Sequence, residues 1–416
     1  MTQAVELPLP RARASETKLV TSVCVAHFVS HYYILLLAPL FIFVREDFGV
    51  SYTELGLALT AFNVVSAVLQ PPAGFLVDRV GARIVLIAGL LLGAGAFAVA
   101  GLVHSFWVFV AMFAVAGLGN TVYHPADYAL LSQQVPLERV GSAFSFHNFS
   151  GMLGNAAAPV SLLLLQSVVG WRGAFMFAAL LGVVAALILL VQREPHPETG
   201  QRKTKNSEAA DAPVQSRQLL LSTPILLNLV FFVLLAVVGG GLNNYLVVAL
   251  GALHGTSVTV ANVALTALLC MSAIGVLVGG VIAGRTGRHG LVTGAGSLVV
   301  GLIAILVGVA DLGTVLLVLI MSVSGLFAGI ATPSRDMIVR AVTPSGAYGR
   351  VFGFVTTGFN IGGIVSPLIF GQLMDHGHPE GIFFVIAACA LLSIATVALG
   401  RVSARPAGGS GIGATP

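Results

Sequence analysis

Long apolar runs, each closed off by a few polar residues, fill this chain from about residue 19 to about residue 400. A helix needs about 20 such residues to cross the hydrocarbon of a bilayer, and a helix satisfies its own backbone polar groups there. The chain therefore reads as an all-α membrane protein. Twelve spans are expected, at about 19–44, 54–77, 84–103, 106–131, 141–169 and 171–191, then 223–250, 258–283, 290–310, 312–341, 350–373 and 380–400. Between the sixth and seventh lies Gln192 to Arg217, rich in Lys, Arg, Glu, Pro and Ser, too short for a domain and too polar to insert. It reads as a flexible linker. The expected organisation is a tail over 1–18, a six-helix bundle over 19–191, a linker over 192–218, a second six-helix bundle over 219–400 and a tail over 401–416. The first run is too long for a signal-peptide core and lacks a small-residue cleavage site, so it is read as a retained span.

Charge then sets orientation. Only 9% of residues are charged and 57% are hydrophobic, against about 25% charged in a soluble domain, so a water-soluble surface cannot be built. The net charge of +4 comes from basic residues scattered between apolar runs, which is a topology signal and not a nucleic-acid groove. With the amino terminus inside, 17 of the 20 Lys and Arg fall in cytoplasmic segments, two (Arg45 and Arg172) outside, and Arg335 within a span. Both termini are therefore expected in the cytoplasm. Cys24, Cys270 and Cys389 lie inside apolar runs without pairing or metal spacing and read as packing residues.

The two halves are also related to each other. Pro125, Pro136, Phe144, Gly154 and Pro159 recur as Pro333, Pro344, Phe352, Gly362 and Pro367, each displaced by 208 positions. A polar turn, Gly74-Phe-Leu-Val-Asp78-Arg79-Val-Gly81-Ala-Arg83, follows the second run. Its charges belong where water begins, Gly74 allows close backbone approach, and Gly81 permits the positive φ of a reversal. The turn recurs in part, with Gly280, Arg285 and Gly287 answering Gly74, Arg79 and Gly81, and Gly284 where Asp78 stands.

This G-x-L-x-D-R-x-G-x-R string resembles the loop between helices two and three of the major facilitator superfamily of secondary transporters. The resemblance implies twelve helices in two pseudo-symmetric bundles about an axis along the membrane normal, with a substrate site near the midplane between them. It further implies a monomer in a bacterial inner membrane, with a lipid bilayer, a small molecule and protons as partners, and no cofactor, metal or nucleic acid. Within the superfamily, His27-Phe28, the S-x-x-L-Q-P-x-x-G from Ser66 to Gly74, and Tyr123-His124-Pro125-Ala126-Asp127 are similar to the branch of fosmidomycin-resistance exporters. The chain departs from that branch in carrying Ser30-His31 where an acidic residue stands in its first span, and in lacking a glutamate near Asp127.

Individual residues suggest roles. Asp78 sits where the amino end of the eleventh span, near Gly349 and Arg350, approaches if the halves close on that side, and a carboxylate gains about 0.3 to 2 kcal/mol at a helix amino end. Gly74, Asp78, Arg79, Gly81 and Arg83 are thus a candidate conformational latch; the plainer reading is a solvated turn. Asp127 and Arg335 are ionisable residues inside spans, where function is the default hypothesis. They either meet across the halves as a gate when the inner side is shut and separate when it opens, or each snorkels to water or pairs within its own half, Arg335 with Asp336. His27, His31, His124 and His147 lie at similar depth, His27 and His31 on one helix face, and with Asp127 they are candidates for carrying a coupling proton or are hydrogen-bonded structural residues. A metal site at His27 and His31 would lack the usual glutamate. Asn63, Gln70, Asn148, Asn155, Asn243, Asn244, Tyr245 and Asn360 are candidate cavity residues or interhelical glue, and Gly239-Gly240-Gly241 marks a place where the seventh span can bend. Gly151, Gly154 and Pro159 partly resemble a Gly-Pro pattern of exporters. The expected function is proton-coupled efflux of a small organic solute by alternating access, with proton-symport uptake as the alternative. A membrane-embedded enzyme is disfavoured because no nucleophile with its base, metal motif or cofactor loop is present, and a sensor because the longest hydrophilic segment is about 26 residues.

Overall fold

The computed structural model describes residues 10–192, 218–344 and 348–403, and helix is the only regular structure among them. Residues 10–18 of the expected amino-terminal tail are helical, at the start of a helix over Pro10–Ile34, and 401–403 of the carboxy-terminal tail continue the last helix, Pro379–Ser403; the rest of both tails and nearly all of the linker lie outside the described residues. The spanning helices are α1 (Glu16–Phe48), α2 (Tyr52–Val80), α3 (Ala82–Leu102), α4 (Phe106–Gln134), then Arg139–Val191, then α7 (Thr223–His254), α8 (Val258–Arg285), α9 (His289–Val309), α10 (Gly313–Ala341), α11 (Val351–Asp375) and α12 (Pro379–Gly400). The stretch Arg139–Val191 holds 53 residues, about 80 Å at 1.5 Å per residue and far more than one bilayer. Gly170 breaks it with φ 71 and ψ 170, giving α5 (139–169) and α6 (171–191). Twelve spans result.

Two of these helices are broken where proline predicts it. A proline cannot pair with the carbonyl four residues earlier. Pro39 accordingly follows the break in α1 at Leu35–Leu37, and Pro125 the turn at Thr121 and Val122 in α4. The second break sets the direction of the segment Tyr123–Gln134, which carries His124 and Asp127. α2 starts on a capping box: the Glu54 N–H donates to Ser51 Oγ at 3.1 Å and the Ser51 N–H to Glu54 Oε2 at 2.8 Å. Between α2 and α3 Gly81 has φ 102, a left-handed conformation that favours glycine.

Helices in lipid lack a hydrophobic drive to associate, so packing relies on close backbone approach at small residues. A side chain at Gly154 of α5 would collide with the Phe28 carbonyl of α1, and one at Gly362 of α11 with Ala236 and the Val233 carbonyl of α7. A side chain at Gly117 of α4 would collide with the Phe62 carbonyl of α2, and one at Gly325 of α10 with the Leu268 carbonyl of α8. Gly154 and Gly362 are 208 positions apart, as are Gly117 and Gly325. The repeat in the sequence is thus a repeat of close helix contacts.

The halves are joined at one end. The Tyr52 and Thr53 N–H groups, at the start of α2, donate to Asp375 Oδ1 and Oδ2 at the end of α11, at 2.7 and 2.8 Å. Thr60 Oγ1 donates to the Ile364 carbonyl at 3.2 Å, and Asn63 Nδ2 to the Gly363 carbonyl at 3.2 Å. The Phe41 and Tyr245 rings meet beside them, 5.2 Å apart. At the opposite end Asp78, Arg79 and Gly81 are exposed and Gly74 has open space beside it. No hydrogen bond joins the halves there among the described residues.

Arg83, the last residue of that polar turn, is engaged within its own half. Its guanidinium donates to the carbonyls of Leu189, Leu190 and Gln192, the free acceptors at the end of α6. A cation there also complements the helix dipole. Arg83→Ala is expected to cost about 1–2 kcal/mol, read as a lower unfolding midpoint of the detergent-purified protein, whereas Arg79→Ala, at an exposed position, leaves the midpoint unchanged.

Candidate functional site

Within the first half, α1, α4 and α5 bring the histidines and Asp127 into one cluster. Gly151 makes room for it, because a side chain there would press on His27 and His31. Asp127 and His147 are fully buried and His27 is 2% exposed. Asp127 Oδ2 lies 2.9 Å from His147 Nε2 and 3.4 Å from His27 Nδ1. A contact of 2.9 Å is hydrogen-bond distance, with one proton lying between the two atoms. The His27 and His147 rings stack at 3.7 Å, and His31 and His124 stand edge-on to His27 at 4.6 and 5.3 Å. Asn155 and His31 are joined through Nδ2 and Nδ1 at 3.0 Å, while His124 and Tyr128 are exposed. The cluster thus runs from a buried carboxylate through stacked imidazoles to groups that meet the space between the halves. His27, Asp127 and His147 also bring three ligand atoms within 4.8 Å of one another, a donor set and spacing that could hold a metal ion.

A cavity of about 310 Å³ lies between the halves, lined from the first half by Met152 and Asn155 and from the second by residues of α7 to α12. Asn243, Thr293, Thr332 and Arg335 contribute polar groups. Asn148 lies on the same face of α5 as Met152 and Asn155 but about one turn from the first and two from the second, nearer the Asp78 end, where it is exposed.

Other expected residues are placed elsewhere. Arg335 does not meet Asp127; its Nε donates to Asp336 Oδ1 at 2.9 Å, and its guanidinium lies 4.9 Å from the Phe232 ring. The gate expects that contact only with the Asp78 end shut, and that end is open here. Tyr245 does not line the cavity but is fully buried, its hydroxyl donating to the Pro367 carbonyl at 2.7 Å. Asn63 binds across the joined end. Gln70, Asn244 and Asn360 are half-buried and do not line the cavity. The seventh span does deform after its glycines, as a π-helical turn at Gly241–Tyr245. Asp375 was missed by sequence reasoning; its signal was an acidic residue ending the eleventh span opposite the start of the second.

A family model described as Major Facilitator Superfamily matches residues 23–252 and again 229–414. The chain belongs to this superfamily. Among its relatives, the fosmidomycin resistance protein of Escherichia coli is 23% identical over 406 residues, covering 94% of this chain and 96% of that protein. The probable sulfoacetate transporter of Cupriavidus necator is 27% identical over 410 residues, covering 90% and 91%. The superfamily fold is matched by the crystal structure of a bacterial homologue of the human lysosomal transporter Spinster, in an inward-facing and unoccupied conformation, with TM-score 0.73, 16% identity and 96% of each chain covered. A membrane transporter of small solutes follows from family and fold together.

Proposed function

We propose that this superfamily member exports a small organic solute by alternating access, driven by protons that load on the Asp127–histidine cluster. The observation that carries the reading is the asymmetry of the seam: bonded between Tyr52 and Asp375, open around Asp78 and Asn148. The distribution of Lys and Arg supports a cytoplasmic location for the open end, which makes this an inward-open state of a protein in the inner membrane with both termini in the cytoplasm. Asn155 supports the link between proton and solute, because one side chain touches both the cavity and His31. In the alternate state the polar turn from Gly74 to Arg83 closes on the amino end of α11, with Asp78 as its anionic contact, while Arg83 stays fixed to α6.

Transport in proteoliposomes under an imposed pH gradient tests this. Solute flux is expected to follow the sign of the gradient and to collapse with a protonophore; flux indifferent to the gradient would sink proton drive, and uphill entry with inward-moving protons would replace export by symport uptake.

The seam yields its own prediction. Asp375→Ala removes two charge-assisted hydrogen bonds in a partly solvated place, a loss of about 1–2 kcal/mol and a shift of about 5- to 30-fold toward opening at that end. A cysteine replacing Thr60 in a cysteine-free background should then react with maleimide correspondingly faster. An unchanged labelling rate would mean that Asp375 does not hold the seam.

A further inference from the structure

We propose that the solute carries a single anionic group, a carboxylate or sulfonate, on a polar body, and that Arg335 binds that group. This rests on reading the cavity between the halves as the solute site. Arg335 is the only charged side chain lining that cavity among the described residues. Its guanidinium is held by three neighbours: Phe232 and Phe359, with ring centroids 4.9 and 5.3 Å away, and Asp336, which takes Nε at 2.9 Å. The terminal nitrogen atoms are left, and no acceptor meets them among the described residues.

A guanidinium fixed in this way is pre-organised for a planar or tetrahedral anion, which two terminal N–H groups bind side by side. Asp336 does not cancel it from the cavity's point of view. The Asp336 side chain is 48% exposed and the Arg335 side chain 16%, so water screens the carboxylate more than the cation. Among the described residues the lining holds no second fixed cation, which a dianion or polyanion would need.

The remaining polar wall selects the body of the solute. Asn155 and Asn243 offer amides, and Thr293 a hydroxyl that is buried and has no partner among the described residues. Groups of this kind are costly to cover with an apolar ligand, because each would be left unpaired. They match hydroxyl substituents. The chemistry is that of a small hydroxylated monoanion and not of a lipophilic or cationic drug.

The test is saturable thermal stabilisation of the purified full chain by a panel of glycolate, gluconate and isethionate, each beside an uncharged counterpart such as sorbitol for gluconate. At least one anion should stabilise with its counterpart inert, and Arg335→Gln should weaken that anion by about tenfold or more, with Arg335→Lys intermediate. Equal stabilisation by uncharged counterparts, no saturable anion, or undiminished binding in Arg335→Gln would overturn the proposal. Should Arg335→Gln not fold, Arg335→Lys decides alone: unaltered anion affinity there counts against a two-pronged contact. If uncharged solutes bind and cross with the pH gradient, the transport reading stands and the anion assignment falls. If anions bind through Arg335 and no solute crosses, the reverse holds.

Discussion

Asp127→Asn is expected to lower proton-driven solute flux by about 100-fold, about 2.7 kcal/mol, while solute exchange without a gradient survives. The substitution keeps the shape of the side chain and an acceptor for His147 Nε2, so the packing of α1, α4 and α5 is undisturbed. What it removes is a group that can gain and lose a proton. A buried carboxylate alternating with imidazoles at 2.9 and 3.4 Å can trade one proton among several sites without ever exposing an isolated charge to lipid, which would cost several kcal/mol. Amide chemistry ends that trade. Measuring counterflow and gradient-driven uptake in the same vesicles separates the two effects. Equal loss of both would assign Asp127 to solute binding or folding, and loss of neither would move the proton elsewhere.

The second large effect falls on the fold. Gly325→Val should reduce the yield of monodisperse protein severely and lower its unfolding midpoint, with a cost of about 3 kcal/mol or more. The new Cβ would meet the Leu268 carbonyl oxygen, its carbonyl carbon at 2.7 Å and its Cα at 2.9 Å. These are backbone atoms of α8, which cannot swing aside as a flexible side chain would. Gly117→Val in α4 should behave alike, because it meets the Phe62 backbone of α2 in the same way. Gly280→Val, with open space around it, is the control and should leave the midpoint unchanged. If all three behaved the same, close approach at Gly117 and Gly325 would not be what holds these helix pairs.

Much of this architecture was legible in the residues alone. Apolar length marks the spans, Gly170 falls between the fifth and sixth of them as the run lengths required, and the 208-residue displacement pairs Gly154 with Gly362, where the structure has matching close approaches. The site was legible only in part. Helical spacing places His27 above His31 on one face, but the distance from that face to His147 and Asp127 depends on how deeply α1 sinks onto α5. Gly151 and Gly154 set that depth across helices, which a one-dimensional pattern does not measure. Arg83 shows the same limit: its charge located a membrane face, yet the carbonyls it caps lie more than a hundred residues further on. Tyr245 and Asn243 were read as one polar patch because they are two residues apart, and the structure sends them to different surfaces.

That last separation follows from the winding of α7. A π-helical turn carries one residue more than the α-helical turn it replaces, so everything after Gly241–Tyr245 is about 100° out of phase with everything before it. One half of the helix therefore lines the cavity while the other packs toward the joined end of the seam. The cavity wall and the joined end are kept in step by a single surplus amino acid in the backbone.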